Sequence, residues 1–148
     1  MTRLPHLRAG RHGRVGVFNL GDAIAEHAHP QAHALMKVSG PDGAFSVAGE
    51  DYPLDDDSLL AINPWQLHCG PGRQSRAGTR MLVLYLNPTS WGSTGSVPLR
   101  QKVFGKVHHR MDAALKASAR RLHHLLAIGS AGAKEVDDLL LKVRAAHG

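Results

Sequence analysis

Residues 21–40 read GDAIAEHAHPQAHALMKVSG, and this stretch decides the fold. Glycine stands at both ends, and three histidines, His27, His29 and His33, lie between them. Side chains two residues apart on a β-strand point to the same face, so we expect His27 and His29 to point together. The chain then turns at Pro30, and His33 opens the next predicted strand. The spacing therefore predicts that three imidazoles come together from neighbouring strands.

Short strand-like segments surround this stretch and are separated by turn residues. A strong turn signal is Gly40-Pro41-Asp42-Gly43. Residues 81–86 are apolar at every position, which predicts a central strand that is covered on both faces. Several short strands without intervening helices indicate a sandwich or barrel rather than a parallel α/β sheet. The predicted strands cover residues 14–20, 32–39, 44–48, 58–62 and 80–86.

The pattern changes after Asn87-Pro88, where residues 89–98 have the Ser, Thr, Gly and Pro content of a linker. Beyond it, apolar residues recur at spacings of three, four or eight, which predicts a helix. A break at 129–132 precedes a second helix, whose apolar stripe lies within 136–143. Two amphipathic helices on a short loop predict an antiparallel pair. The first stripe consists of Val103, Val107, Met111, Ala114, Leu122 and Leu126.

A fourth histidine, His68, follows a later predicted strand and the loop 63–67. Imidazole is the commonest nitrogen ligand for zinc, nickel or iron, so several such rings inside a barrel would form a metal site. The alternative is a polar barrel lining without metal, in which the histidines contact an organic effector or one another. Trp65 would either meet a ligand at the pocket mouth or pack at the rim. The candidate pocket residues are His27, His29, His33, Trp65 and His68, and the candidate metal ligands are the four histidines among them.

These features together resemble a known family. The spacing of the first three histidines is similar to the first motif of the cupin superfamily, with His33 where many metal cupins carry a glutamate. Within the cupins, residues 59–68 resemble the strand and Asn-Pro-x-x-x-His turn of the sensor domains of AraC-family transcription regulators. Residues 84–91 resemble the barrel-closing strand of those domains, and the resemblance spans roughly residues 14–147. It implies a mainly β fold, a cupin-type double-stranded β-helix or jelly-roll barrel, followed by a C-terminal antiparallel helical pair.

The resemblance also implies that the chain has two parts with different roles. Residues 1–97 would form the barrel, with 1–13 irregular, and 98–148 would form a helical pair that joins two copies in a homodimer. We expect the apolar stripe to exceed what one barrel covers, so that Leu122→Glu would split the dimer and leave the barrel folded. The family's DNA-binding domain carries two helix-turn-helix motifs after the sensor domain, and this chain stops at Gly148 without them. Contact with DNA is therefore expected only through a domain absent from this chain.

The net charge of +6 arises entirely within residues 98–148, which hold 10 Lys and Arg against 4 Asp and Glu. Such a basic segment either touches nucleic acid or forms a solvated helix face, and no aromatic residues interleave it as a single-strand binding surface would require. No apolar run approaches the ~20 residues of a membrane span, and no signal peptide is recognisable. Cys69 is the only cysteine, which excludes an internal disulfide. We expect a cytoplasmic protein without a membrane partner.

Two classes of function remain. In the first, the barrel senses a small-molecule effector or a divalent metal (zinc, nickel or iron), and binding biases the arrangement of the dimer that an attached DNA-binding domain reads. In the second, the chain is a small cupin metalloenzyme of dioxygenase or isomerase type, whose metal keeps positions open for substrate. The helical pair favours the first, because a small cupin enzyme does not need it.

Overall fold

Ten strands and two helices make up the described part of the chain in the computed structural model, which describes residues 7–20, 24–70, 78–87 and 103–147. In chain order they are β1 (Arg8–Ala9), β2 (Gly13–Asn19), β3 (Ile24–His27), β4 (His33–Ser39), β5 (Gly43–Val47), β6 (Glu50–Leu54), β7 (Ser58–Ile62), β8 (His68–Gly70), β9 (Arg80–Leu86), β10 (His108–Arg110), α1 (Ala113–Ala127) and α2 (Ala133–His147).

The strands form two antiparallel sheets between which the chain alternates. The six-stranded sheet has the order β1-β2-β9-β4-β7-β10, and the four-stranded sheet has the order β3-β8-β5-β6. From β2 to β9 the chain changes sheet at every step except at the β5–β6 hairpin. Eight strands wound in this way between two facing sheets make a jelly roll. The structure therefore confirms the mainly β, cupin-type double-stranded β-helix with two C-terminal helices.

The six-stranded sheet separates two hydrophobic cores. On β4, Leu35 points into the barrel interior, whereas Ala34 and Met36 point outward to the helices. The same alternation along β7 and β9 explains why these predicted strands are apolar on both faces. The buried residues of the barrel interior are Leu20, Leu35, Phe45, Val47, Leu54, Leu60, Ile62, Met81 and Val83.

Helices α1 and α2 cover the outer face of the six-stranded sheet. Asp112 caps α1, and its carboxylate accepts the backbone N–H of Leu115 at 2.7 Å. Leu122 is only 2% exposed and belongs to the core between the helices and the sheet. The expectation that Leu122 lies on a free part of the stripe is therefore wrong, because the outer face of the barrel sheet occupies it.

The first helix begins later than predicted. Its stripe was expected to start at Val103, but α1 starts at Ala113 and residues 108–110 form the edge strand β10. The side-chain oxygen of Asn63 accepts the backbone N–H groups of Val103 and Phe104, each at 2.8 Å, and its amide donates to the carbonyl of Phe104 at 3.0 Å. These bonds across about 40 residues hold the segment in a non-helical conformation.

The boundary between the two predicted parts, at residues 97 and 98, lies outside the described residues and stays a prediction. Strand β10 follows that boundary in the chain but pairs with β7 of the barrel. Near the N-terminus, Arg8–Ala9 forms β1 against β2, although residues 1–13 were expected to be irregular. Within the described ranges, neither helix has the length and apolar character needed to cross a membrane.

The acidic turn between β6 and β7 fastens the end of the barrel that lies away from His33. Asp55 shapes the turn by accepting the backbone N–H of Asp57 at 3.0 Å. Asp56 pairs at 3.0 Å with Lys37, whose side chain is 6% exposed. Asp57 pairs with Lys116 of α1, so the three carboxylates serve three structural contacts.

Candidate metal centre

Four histidines meet at one end of the barrel, where His33 and His68 are buried, His29 is half-buried and His27 is exposed. His27 closes β3, His29 follows in the next loop, and His33 and His68 open β4 and β8. His27 and His68 are direct partners across their strands, with ring centroids 4.2 Å apart. The centroids of His29 and His33 lie 4.5 Å apart, and His68 lies 4.9 and 4.6 Å from these two rings. The structure thus brings all four candidate ligands into one cluster, which we call the histidine cluster.

Three members of the cluster could hold one ion together. The ring nitrogens of His27, His29 and His68 available for a metal all lie within 4.8 Å of one another. Imidazole nitrogen is a common zinc ligand, so these three residues are the ones that could share one ion. His33 lies outside this group of three, but its ring adjoins those of His29 and His68.

The hydrogen bonds of the cluster leave lone pairs available. Nδ1 of His29 and Nδ1 of His33 are buried and have no hydrogen-bond partner among the residues that the structure describes. Nδ1 of His68 lies 2.9 Å from the carbonyl oxygen of Gln66. Because a carbonyl can only accept, this nitrogen carries the proton, and Nε2 of His68 keeps its lone pair. Nitrogen donors and orphaned buried atoms fit a borderline divalent ion such as zinc, nickel or iron.

Burial lowers the pKa of three members of the cluster, His29, His33 and His68. It lowers the pKa of His68 to about 4, against the opposing effect of the Gln66 carbonyl and with added repulsion from His27 and His29. Burial also lowers the pKa of His33 well below its ordinary value, and repulsion from His68 and His29 adds to this effect. The pKa of His29 is lowered by burial and, to a smaller extent, by repulsion from His27. Neutral imidazole is the form that binds metal, so the lowered pKa values of these three rings favour their binding form.

Aromatic side chains line the cluster. The ring of Tyr85 stacks on His33 at 5.7 Å, and that of Phe45 stacks on His68 at 6.2 Å. Burial raises the pKa of Tyr85, although Arg14 opposes the shift, so the side chain is a neutral phenol. The guanidinium of Arg14 lies 5.7 Å from the centre of the Tyr85 ring. Sequence reasoning missed Tyr85 and Arg14, although the alternation of β9 was a signal that Tyr85 shares a face with Val83.

Trp65 stands beside the cluster without entering the core. Its backbone N–H donates to the carbonyl of His29 at 2.8 Å, which ties the loop before β8 to the loop before β4. Its φ of 61° lies in the left-handed region, and its side chain is 44% exposed. The structure therefore places Trp65 next to the candidate pocket, with its indole open to solvent.

The histidines that follow the barrel lie elsewhere. His108 and His109 fall within the segment that the apolar spacing predicted to be helical, but both stand on β10. Nε2 of His108 lies 2.8 Å from Oγ of Ser58, and Nε2 of His109 lies 2.9 Å from the carbonyl oxygen of Lys106. Ser58 is at the start of β7, whereas the pairing partner of His33 is at its end, so these bonds are remote from the histidine cluster.

Comparison with known proteins gives neither a matching family model nor a matching curated protein. Solved structures do match. A protein from Neisseria meningitidis is 17% identical over 59% of this chain and 89% of its own, with a TM-score of 0.49. A cupin protein from Bacteroides fragilis is also 17% identical, over 69% of this chain and 91% of its own, with a TM-score of 0.45.

Oxalate decarboxylase from Bacillus subtilis, a protein with Mn(II) centres, is 11% identical with a TM-score of 0.38. The match covers 91% of this chain but only 37% of the decarboxylase, so this chain spans little more than a third of that enzyme. At identities this low the likeness concerns the fold and does not extend to the chemistry of the site.

Proposed function

We propose that this protein is a sensor module whose barrel binds one divalent transition-metal ion through His27, His29 and His68, with His33 as a fourth ligand. The observation that carries the proposal is a set of four imidazoles whose rings adjoin one another at one end of a largely apolar barrel. A bound ion would offer a Lewis-acidic position to a small-molecule effector. An effector would then bind at or beside the ion, in the pocket that Trp65 borders.

The donor set indicates which ions to consider. Imidazole nitrogen suits zinc, nickel and iron, whereas magnesium and calcium prefer oxygen ligands. The four candidate ligands include no carboxylate, because a histidine, His33, stands where the resemblance leads one to expect a glutamate. We therefore expect zinc or nickel to bind more tightly than magnesium or calcium.

We further infer that the module serves an AraC-type transcription regulator. The support is the resemblance of residues 59–68 and the position of the helices, which pack on the sheet that carries His33. On β4, His33 faces the barrel interior, and the next residue, Ala34, packs in the core that the helices share. A ligand that moved β4 would therefore act directly on the helical pair, through which we propose that two copies associate. DNA would be bound by a separate domain.

A cupin metalloenzyme of dioxygenase or isomerase type is the second candidate. The observation that favours it is Tyr85, a neutral phenol stacked against His33 beside the candidate ligands. Such a phenol can donate a proton to a bound substrate. The two candidates differ in the fate of the ligand: a sensor releases it unchanged, whereas an enzyme converts it. Mass spectrometry of a ligand after prolonged incubation with the metal-loaded protein separates them.

Metal analysis tests the proposal. Purified protein reconstituted with zinc or nickel and then desalted should retain about one ion per chain. A His27→Ala/His29→Ala variant should retain none, because two of the three grouped nitrogens are removed. His124→Ala is the matched control, since His124 is exposed on α1 and should not affect metal content. Retention of stoichiometric metal by the double variant, or a wild-type protein that holds none, would contradict the proposal.

A further inference from the structure

The histidine cluster has no negative charge of its own. Among the described residues, no carboxylate lies close enough to raise the pKa of His29, His33 or His68; only backbone carbonyls do so. Glu26 adjoins His27 in the chain, but it is exposed and is not among the groups that shift the pKa of these three rings. A divalent ion bound here would keep its full charge among neutral ligands.

An uncompensated charge in apolar surroundings is strongly unfavourable. The surroundings of this centre are aromatic and aliphatic, with Phe45 beside His68 and Tyr85 beside His33. A negatively charged ligand on the ion would neutralise part of its charge, whereas a neutral ligand of the same shape would not. The charge of the centre therefore favours an anion, and its apolar walls favour an organic one.

A cation stands on the same face of the sheet as the cluster. Arg14 and His33 are both direct cross-strand partners of Tyr85, so the three residues form one row over β2, β9 and β4. Residues in one row across a sheet point to the same face, here that of the barrel interior. The Arg14 guanidinium lies 5.7 Å from the Tyr85 ring centre, and that ring lies 5.7 Å from the His33 ring. The guanidinium is therefore separated from the cluster by one aromatic ring.

The guanidinium of Arg14 is also available to bind an anion. It is exposed, and it forms no ion pair with any residue in the described ranges. Guanidinium binds carboxylate through two parallel hydrogen bonds, and at longer range it still attracts an anion within a screening length of ~8 Å. A cation at the rim would draw an anionic ligand toward the ion and exclude cationic ones.

We propose that the ligand recognised at this centre is a small organic carboxylate, bound by the metal ion and attracted by Arg14. The proposal rests on the metal binding proposed above and specifies the chemical class of the effector or substrate. The carboxylate oxygen completes the coordination of the ion, and the apolar body of the ligand packs against the aromatic walls. Arg14 adds a second positive charge on the far side of the Tyr85 ring from His33.

Calorimetry on the zinc-loaded protein tests this with two matched pairs, benzoate against benzamide and acetate against acetamide. Each amide has nearly the shape of its acid but no charge. We expect at least one carboxylate to bind about tenfold or more tightly than its amide, since charge pairs in such sites are among the strong interactions. Arg14→Met keeps the length of the side chain and should weaken carboxylate binding several-fold while leaving zinc content unchanged.

The control for net charge is Arg80→Met. Arg80 is exposed at the opposite end of β9 from Tyr85, so its loss removes one positive charge without altering the row. Carboxylate affinity should change less than twofold in this variant and should be largely kept in Arg14→Lys. Equal binding of acid and amide, or binding of neither, by a protein that holds zinc would overturn the carboxylate inference alone. A wild-type protein without zinc would overturn the proposed function itself, and the same carboxylate affinity in Arg14→Met and wild type would remove Arg14 from the site.

Discussion

The carboxylate of Asp137, in helix α2, accepts the backbone N–H of His12 at 2.9 Å, and its second oxygen accepts that of Arg11 at 3.0 Å. Both donors lie in the turn between β1 and β2. Gly10 lies so close to this carboxylate that a Cβ atom there would collide with it. One side chain thus fastens the helical pair to the strand that carries Arg14, and so links the helices to the rim of the candidate pocket.

Removal of this carboxylate should weaken the whole fold. We expect Asp137→Ala to lower the free energy of unfolding by about 1–3 kcal/mol, because two backbone donors lose their acceptor. Asp138→Ala is the matched control, since Asp138 is the next residue of α2 and is exposed. Urea unfolding followed by circular dichroism measures both variants. Equal stability of the two would mean that the Asp137 bonds contribute nothing to the docking of α2.

His33 should reduce the stability of the metal-free protein. It is 3% exposed, and within the described ranges its Nδ1 has no hydrogen-bond partner. Leucine at this position would bury a similar volume without an orphaned polar atom, so His33→Leu should raise the free energy of unfolding of the metal-free protein by about 1 kcal/mol. The same change should weaken zinc binding, measured by competition with a chelator, about tenfold or more because one nitrogen ligand is lost.

His109→Leu provides the contrast. His109 is 7% exposed, but its Nε2 is bonded to the carbonyl of Lys106. Its replacement should therefore lower stability and leave zinc affinity unchanged. If His33→Leu and His109→Leu shifted stability in the same direction, the orphaned nitrogen of His33 would not be the cause.

Acid should destabilise the metal-free protein through the buried histidines of the cluster. The pKa of His68 falls from 6.5 when unfolded to about 4 when folded, and those of His33 and His29 are lowered too. Between these values the unfolded chain binds more protons than the folded one. The contribution of His68 is therefore full above pH 6.5 and is lost as the pH falls toward about 4, by up to about 1.4 kcal/mol per pH unit, and the lowered pKa values of His33 and His29 act in the same direction.

Urea unfolding from about pH 7 to about pH 4.5 tests this linkage. His33→Leu should show a shallower slope than the wild type, because one of the three groups is removed. Saturating zinc should move the loss of stability to lower pH, since the ion and protons compete for the same lone pairs. A slope unaltered by His33→Leu would contradict the assignment of this pH dependence to the histidine cluster.

The meeting of the four imidazoles could be expected from the sequence because its signals are local. His27 and His29 stand two residues apart, and turn residues mark where each neighbouring strand begins. The strands β7 and β9 could also be predicted from local sequence, since runs of apolar residues bounded by polar ones are typical of strands covered on both faces.

The sequence did not reveal features that depend on distant partners. Val103, Val107 and Met111 recur at helical spacing, yet Asn63 and the edge of β7 hold this segment as loop and strand. A local signal for the true helix start existed in Asp112, a residue type favoured at helix N-caps. The row that joins Arg14 to His33 depends on strand register, which a single sequence does not specify.

A homodimer through the helical pair remains our proposal, and the structure changes the residue that tests it. Leu122→Glu would place a carboxylate in the core between α1 and the sheet, where Leu122 is 2% exposed. We expect it to cost several kcal/mol of stability through burial of an unpaired charge, whether or not two copies associate. Loss of a dimer in that variant would therefore not locate the interface.

The exposed apolar residues of the helical pair are the informative ones. Ile128, which caps α1, is 58% exposed, and Leu141 of α2 is 42% exposed. Apolar side chains left in solvent on adjoining elements would be covered if the same surface of a second copy met them across a two-fold axis. We expect light scattering at micromolar concentration to give the mass of a dimer for the wild type and of a monomer for Leu141→Glu and Ile128→Glu. Both variants should keep a cooperative urea unfolding transition, because neither side chain is buried in the chain. A monomeric wild type would end the proposal, and two variants that stay dimeric would place the interface away from the helical pair.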